Sequence, residues 1–304
     1  MPSPFGPLVL IVNPRAGRGE VGREMPELER RIVAGRLEYR IEETQKPGDA
    51  SRLAREAVES GERFVVAVGD DATVNEVVNG LMDGDGPIDE DLVVGAMAAG
   101  SGADFVRTFG LPDQVTTGAR HLLGEHTYPI DVARITYGPE GRSRYFVNAA
   151  QVGLGGLAVR RAAALPAWLG RGRQFLGFWR SVIGYRVSNL RVRADRREFE
   201  GRAHGVVIAN GQFLNGGMRV SPRSYPGDGK LDVQVSIGPK SQAFTILPSI
   251  YRGEHLPDPQ IKEMLGAEIV VESDRPIPVE ADGVPLGETP VSVTVLREAL
   301  RLKI

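Results

Sequence analysis

The stretch Phe64–Leu81, FVVAVGDDATVNEVVNGL, decides how this chain is read. Its first half is a continuous apolar run ending at Gly69, the pattern of a strand buried on both faces. Asp70 and Asp71 fill the turn. Ala72, Thr73 and Val74 then lead into a helical pattern that carries Asn75, Glu76 and Asn79. A buried strand that feeds a small-residue turn and a helix start presents backbone N–H groups to phosphate. Two acids in that turn point to a metal ion or a reacting hydroxyl close by.

The same unit recurs on either side. Leu8–Val12 is a short apolar run, broken by Asn13-Pro14 and Arg15-Ala16-Gly17-Arg18-Gly19 before a helix from about Val21 to Ala34. Leu37–Glu42 alternates apolar and charged residues and reads as a second strand. Lys46-Pro47-Gly48-Asp49 is a turn, with Asp49 expected to N-cap a helix from Ala50 to Ser60. Leu92–Ala96 is a fourth strand, followed by the small-residue loop Met97–Ala103. A short helix, Asp104–Phe109, is stopped by Gly110 and Pro112. Strands alternating with helices imply a parallel sheet, with ligands at the carboxyl ends of its strands. Three loops fall there: Asn13–Gly19, Gly69–Thr73 and Ala98–Asp104. Any one of them, taken alone, is explained equally well by the packing of a βα turn.

Beyond Tyr128 the texture changes. Tyr128–Tyr137, Arg144–Ala150, Asn189–Ala194, Gly205–Ala209, Leu231–Ser236, Glu268–Glu272, Pro278–Glu280 and Val291–Leu296 are short β-type runs between turn residues. They read as a mostly antiparallel β domain. Helical regions interrupt it from about Leu157 to Arg186 and from about Ser241 to Gly253. The expected fold is therefore an α/β N-terminal domain with a parallel sheet, residues 1–127, and a β-sandwich-like C-terminal domain, residues 128–304. The last strand is a candidate to return to the first domain.

Composition narrows the function classes. The 304 residues are 41% hydrophobic and 25% charged, with a formal net charge of −2, which gives no electrostatic case for a nucleic-acid partner. Without cysteine there is neither a disulfide nor a thiolate metal site. The N-terminal MPSPFGPLVLIVNP lacks the basic region of a signal peptide, and no apolar run is long enough to span a bilayer. A cytoplasmic protein is expected, with peripheral contact to a membrane left open. The four histidines, His121, His126, His204 and His255, show no metal-ligand spacing and read as structural or surface residues.

Taken in order, these segments resemble the bacterial diacylglycerol kinase and sphingosine kinase superfamily, related in its first domain to NAD kinase and 6-phosphofructokinase. Val12-Asn13-Pro14 and Gly17 match its first loop. Gly69-Asp70-Asp71-Ala72-Thr73-Val74-Asn75-Glu76 matches its GGDGTxNE motif, and Ala98–Arg107 followed by Gly110-Leu111-Pro112 matches PxGTGNDFAR. Ile130-Asp131-Val132, Phe146-Val147-Asn148, Asn210-Gly211, Gly216-Gly217-Met218, Pro222 and Asp228-Gly229-Lys230-Leu231-Asp232 follow in family order. Ala281–Pro290 resembles DGExxGxxP.

The resemblance implies an ATP- and Mg²⁺-dependent lipid kinase that acts on a lipid hydroxyl at a membrane surface, with diacylglycerol the first substrate to consider; a homodimer is compatible with it. ATP would lie in the cleft between the domains, contacted by Asn13, Thr44, Gly69, Asp70, Asp71, Ala72, Thr73, Val74, Asn75, Glu76, Gly100, Ser101 and Gly102. Asp71 would help hold Mg²⁺, and Asp131 would join that network. A structural Mg²⁺ maps to Tyr225, Asp228 and Lys230, mostly through backbone oxygens, with a plain Asp-Gly turn the alternative for Asp228.

Five positions depart from the pattern. Asp70 and Ala72 stand at family glycines, where a Cβ would be costly if the backbone needed positive φ. Ala98 replaces a proline, Ala103 an asparagine, and Val284 the glutamate that accepts the lipid hydroxyl's proton, a task valine cannot perform. Strand alternation would put Glu280, Asp282 and Val284 on one face, so that a neighbouring acid substitutes. The alternative is a homologue that binds nucleotide or lipid without turnover. Ala162–Arg186 holds both tryptophans, Phe175, Phe178, Arg171, Arg173, Arg180 and Arg186. It reads either as a membrane-interface segment or as an amphipathic helix packed on the sheet.

Overall fold

The computed structural model describes residues 3–98, 103–166, 169, 172–239 and 241–304, with residues 173, 174, 243 and 244 described by backbone alone. The chain divides into two units, Met1–Val132 with Leu296–Ile304, and Ala133–Val295.

In the first unit the elements are β1 (Leu8–Val12), α1 (Ala16–Ala34), β2 (Tyr39–Glu43), α2 (Asp49–Glu59), β3 (Phe64–Gly69), α3 (Asp71–Leu81), the small hairpin β4 (Met82–Asp83) and β5 (Gly86–Pro87), β6 (Val93–Ala98), α4 (Asp104–Thr108) and α5 (Val115–Gly118). β1, β3 and β6 are buried at every residue. Fully burying one such Val or Leu side chain stabilises the fold by about 1.5–3 kcal/mol before conformational entropy is counted. The strands pair in parallel in the order β2–β1–β3–β6. The chain thus leaves β1 toward one side to make β2 and returns past it to make β3. That reversal is a topological switch point, and it brings together the loops that follow β1 and β3.

β7 (Thr127–Tyr137) passes from the first unit into the second. There follow β8 (Arg142–Phe146), β9 (Ala149–Gly153), α6 (Leu154–Ala163), α7 (Gly172–Gly184), β10 (Ser188–Ala194), β11 (Arg197–Ala203), β12 (Gly205–Ala209), β13 (Leu231–Ser236), α8 (Gln242–Arg252), β14 (Ile261–Gly266), β15 (Glu268–Ser273), β16 (Pro278–Ala281), β17 (Val284–Glu288) and β18 (Val291–Lys303). One antiparallel sheet runs β14–β13–β12–β9–β16–β17. β11, β10, β15 and the start of β18 pair antiparallel in a second. Ala150, Val152, Val206, Ile208 and Val233 of one sheet share an apolar core with Val192, Ile269 and Val293 of the other, which is the sandwich that the period-two runs predict. From Leu296 on, β18 belongs to the first unit, where Arg301 and Leu302 pair in parallel with Val93 and Val94.

Four readings of local structure change. Asp49 is the first helical residue of α2 rather than its cap, which is Gly48 in a left-handed conformation; the Asp49 carboxylate instead accepts from Gln45 N (2.9 Å) and Lys46 N (3.0 Å). Arg144–Ala150 is two strands, parted at Val147-Asn148, whose amides turn to a carboxylate described below. The helical region before Arg186 is two helices rather than one. β11, β14 and β17 have no counterpart in the predicted runs, because charge or glycine masks their alternation.

Candidate functional site

The switch point in the first unit is held by a small polar cluster. Asn13 Nδ2 donates to Thr73 Oγ1 (3.2 Å), and Thr73 Oγ1 donates to Asp70 Oδ1 (2.8 Å). The same Asp70 oxygen accepts from Thr73 N (3.0 Å), so Asp70 is the N-cap of α3. Its backbone is extended, φ −104°, and Ala72 lies inside the helix; neither needs positive φ, and the expected steric penalty at these two positions does not arise. Gly69 does have to be glycine, since a Cβ there would stand 2.4 Å from Thr73 Oγ1.

Asp71 points elsewhere. Its two oxygens accept from Asp104 N (3.1 Å) and Phe105 N (3.0 Å), capping α4 from outside. Glu76 does the same for α2, accepting from Gly48 N (2.9 Å) and Ala50 N (3.3 Å). Both carboxylates sit at the positive end of a helix, where they are stabilised. Val74 and Asn75 are buried in the unit, and Asn79 Nδ2 bonds the Asn75 carbonyl (2.7 Å). Thr44 follows β2, its N–H donating to Val12 O (2.9 Å). Asp131 is buried, and its Oδ1 accepts from Glu298 N (2.8 Å) at a positive-φ residue of β18. Gly100, Ser101 and Gly102 lie outside the described residues.

Two features of the first loop are absent from the predicted site. Arg15 Nη1 donates to Gln45 O (3.1 Å), tying the loop after β1 to the loop after β2 and leaving an exposed cation at the strand ends. Gly17-Arg18-Gly19-Glu20-Val21-Gly22 has the G-x-G-x-x-G spacing of a strand-to-helix phosphate turn, a signal that was legible in the sequence. Gly17, Arg18 and Gly19 are all left-handed, with φ of 59°, 60° and 79°.

In the second unit, Asp282 and Gly283 form the two-residue turn between β16 and β17, with φ of 46° and 78°. Both residues are left-handed, as a type I′ hairpin turn requires. The buried Asp282 carboxylate accepts from Val147 N (2.9 Å), Asn148 N (3.0 Å) and Ala149 N (2.9 Å). It supplies the acceptors that the broken strand lacks. Val284 pairs with Ala281 and Pro285 with Glu280. Directly paired residues share a face, so Val284 and Glu280 lie on opposite faces. The expectation that alternation puts Glu280, Asp282 and Val284 on one face fails, because the chain reverses between them.

Glu280 is wholly buried. Gln151 Nε2 donates to its Oε1 (2.6 Å) and Gly283 N to its Oε2 (2.8 Å). Burial pushes its pKa up to about 8, against the pull of those two hydrogen bonds and with a further push from Asp282. The start of α6 seals this pair, since a Cβ on Gly155 would stand 2.1 Å from Gln151 Oε1.

Tyr225, Asp228 and Lys230 share one turn. The Tyr225 carbonyl accepts from Gly227 N (2.8 Å) and Asp228 N (3.3 Å), and Asp228 Oδ1 accepts from Lys230 N (2.9 Å). The turn is closed by its own hydrogen bonds. Among the described residues, no group of three or more His, Cys, Asp or Glu side chains could hold a metal ion. A nucleotide-bound Mg²⁺ asks less, one or two carboxylates beside the substrate phosphates, and the Asp71 carboxylate has the oxygen chemistry for it.

Comparison with known proteins agrees with this architecture. Residues 7–135 match the model of the diacylglycerol kinase catalytic domain, and residues 148–304 that of the YegS C-terminal NAD kinase beta sandwich-like domain. The diacylglycerol kinase of Bacillus subtilis (strain 168) is 25% identical over 277 residues, covering 90% of this chain and 88% of its own. The protein named "Probable lipid kinase YegS" of Shigella flexneri is 24% identical over 262 residues, covering 86% and 84%. A crystal structure of a diacylglycerol kinase from Bacillus anthracis str. Sterne superposes with a TM-score of 0.75 over 99% of this chain and 97% of its own, at 24% identity, and shares the fold. The chain belongs to the family of diacylglycerol kinases and YegS-type lipid kinases.

Proposed function

We propose that this protein is a lipid kinase that transfers the γ-phosphoryl group of ATP, with Mg²⁺, to a lipid hydroxyl, diacylglycerol being the leading acceptor. The observation that carries the reading is the Gly69–Thr73 turn, set at the switch point against the Asn13 loop. Bound there, ATP supplies the phosphoryl group and Mg²⁺ neutralises its charge. This chain's own part is positioning. Gly69 lets the turn approach Thr73 closely, Asn13 and Thr73 fix the two loops in register, and Asp71 offers the carboxylate for the metal. Arg15 adds a positive charge at the strand ends. Asp70 contributes a negative one, so the turn favours a cation-neutralised triphosphate over a bare one.

A second reading, binding without turnover, is favoured by the proton acceptor. Val284 holds the place of that carboxylate, Asp282 already accepts three amides, and Glu280 is sealed on the opposite face. The test is transfer of labelled phosphate from γ-labelled ATP to diacylglycerol, sphingoid base and other long-chain alcohols in mixed micelles. Mg²⁺-dependent transfer supports the kinase. Nucleotide binding by calorimetry with no transfer to any acceptor supports the second reading and defeats the first.

A further inference from the structure

A carboxyl group lies wholly inside the second unit with no cation beside it. Glu280, on β16, is fully buried, and among the described residues no ion pair reaches it. Its two partners are neutral: the side-chain amide of Gln151 on β9 at 2.6 Å, and Gly283 N at 2.8 Å. Gln151 is buried as well. The first turn of α6 closes over them. A Cβ on Gly155 would stand 2.1 Å from Gln151 Oε1, and one on Gly156 2.5 Å from Pro278 O, so no side chain fits between this helix and the pair. Glu280 therefore reaches water only if the Asp282–Gly283 turn opens or the start of α6 lifts.

Two carboxyl groups share this corner, and their surroundings set them apart. Asp282 accepts three backbone amides, which favour its charged form. Glu280 has one amide, and a second charge beside Asp282 in a low-dielectric interior is costly. The contact with Gln151 agrees with a neutral acid. Its 2.6 Å matches an O–H···O bond better than an N–H···O bond, whose usual length is about 2.9 Å. Turned about its last side-chain bond, the Gln151 amide presents oxygen in place of nitrogen and accepts the acid's proton. The other charged groups on the elements packed around Glu280 are occupied elsewhere. Arg160 of α6 pairs with Glu288 of β17 at 3.2 Å, and Arg161 bonds the Arg180 carbonyl. β9 carries no titratable residue. We propose that Glu280 is a positioning residue that works as a neutral acid: its protonated carboxyl bridges Gln151 to Gly283 N and latches the Asp282–Gly283 turn, and its ionisation releases that turn. The proposal deepens the lipid-kinase reading and rests on it for what the turn serves. Val284 follows directly, at the position where the resemblance implies the lipid hydroxyl gives up its proton, and Asp282 gathers the amides of Val147–Ala149 beside it.

The test is a carboxyl titration of the full chain with ¹³C-labelled glutamate, followed by NMR without nucleotide or lipid. One glutamate is expected to titrate near pH 8, and its signal to be missing from Glu280→Gln. Hydrogen exchange reads the latch itself. The closed turn holds the proton more tightly than the open one, so it is favoured at low pH. Protection of the Gly283 amide should fall by up to about tenfold per pH unit between about 4.5 and 8, and level off above. Glu280→Gln keeps a neutral group in place, and its protection should not change with pH. A merely structural contact would not give that profile. The proposal is overturned if every glutamate titrates below about pH 6, within the ordinary range. It is also overturned if Gly283 protection in the wild type is independent of pH, or if its dependence persists in the variant. The wild-type titration decides the matter even if the variant fails to fold. Phosphoryl transfer is read separately. A protein that shows the latch but phosphorylates no lipid keeps this inference and loses the kinase reading. One that phosphorylates lipid while all its glutamates titrate normally does the reverse.

Discussion

The two turns that carry the family motifs, Gly69-Asp70-Asp71 in the first unit and Asp282-Gly283-Val284 in the second, use carboxylates in the same way and depart from the family in opposite directions. In both, an acid is engaged by backbone amides of a neighbouring segment: Asp71 by Asp104 and Phe105, Asp282 by Val147, Asn148 and Ala149. The first turn, however, has gained a carboxylate, Asp70, and made it a helix cap. The second has lost one, and the neighbouring Glu280 lies on the face opposite to Val284. A motif acid can therefore hold a fold together while the chemistry around it changes. Only the second departure removes a chemical function.

The largest expected effect follows from that. Val284→Glu places a carboxylate on the Ala281 face, at the position where the resemblance implies a proton acceptor. General-base catalysis contributes about 10²–10⁴-fold, so phosphoryl transfer to diacylglycerol should rise by at least about a hundredfold over the wild type. If the rate is unchanged while the variant folds and binds ATP, the contrast between the two turns is wrong, and the obstacle lies in the nucleotide turn instead.

A second experiment weighs burial beside the second turn. Glu280 has a raised pKa, about 8, so the folded protein holds a proton that the unfolded chain releases above its ordinary value of 4.5. Stability is therefore greatest below about pH 4.5 for this group, falls as pH rises through that window, and levels off above about 8. At about 1.4 kcal/mol per pH unit the loss is a few kcal/mol. Denaturant unfolding across that range should show the slope, and Glu280→Gln should remove it. His121 gives an internal control in the first unit. Burial, helped by Lys303, lowers its pKa to about 4, so its contribution is lost as pH falls from 6.5 toward 4 and should survive in the variant. A slope that persists in Glu280→Gln would show that this carboxyl is not the titrating group.

How far the sequence carries depends on what each residue answers to. The apolar runs of β1, β3 and β6 were legible because burial on both faces leaves a continuous hydrophobic signature. Asn13, Gly69 and Thr73 were grouped only through the motifs of the resemblance, since the Asn13–Thr73 hydrogen bond joins residues 60 apart in the chain. Asp71, Glu76 and Asp282 were legible as acids but not as caps, because their partners lie between 26 and 135 residues away in the chain. The face of Val284 could not be read from alternation, because a two-residue turn reverses the strand direction; the Asp-Gly pair was the available sign of it. The Glu280–Gln151 pair depends on strands β9 and β16 meeting, which only the sheet order reveals. Asp70 was open to a better reading from local sequence alone, since an Asp three residues before a Thr at a helix start fits the capping position.

A smaller effect tests that capping role. Asp70→Gly restores the family residue at the first turn, at a cost of a few tenths of a kcal/mol in helix stability. It also removes a carboxylate from the place where a triphosphate would approach. Calorimetry should show ATP–Mg²⁺ binding tightened by about tenfold, equivalent to about 1.4 kcal/mol. Weaker binding would mean that Asp70 serves the nucleotide through the metal, and would make the two turns alike in needing their acids.

The smallest effect concerns the backbone of the loop beside that turn. Arg18 is the one non-glycine residue in a left-handed run of three, and its carbonyl accepts from Arg23 Nη1 at 3.2 Å. A left-handed conformation costs an L-residue about 1–2 kcal/mol, which glycine avoids, while glycine gives the unfolded chain more freedom to lose. The two effects oppose each other, so Arg18→Gly should leave the protein at most about 1 kcal/mol more stable. A gain in thermal midpoint with unchanged ATP affinity would mark the strain as a local cost of seating Gly17 and Gly19 around it. A gain in stability with lost affinity would place the Arg18 charge at the nucleotide, beside Arg15, and give the first turn the cationic counterweight that Asp70 and Asp71 call for.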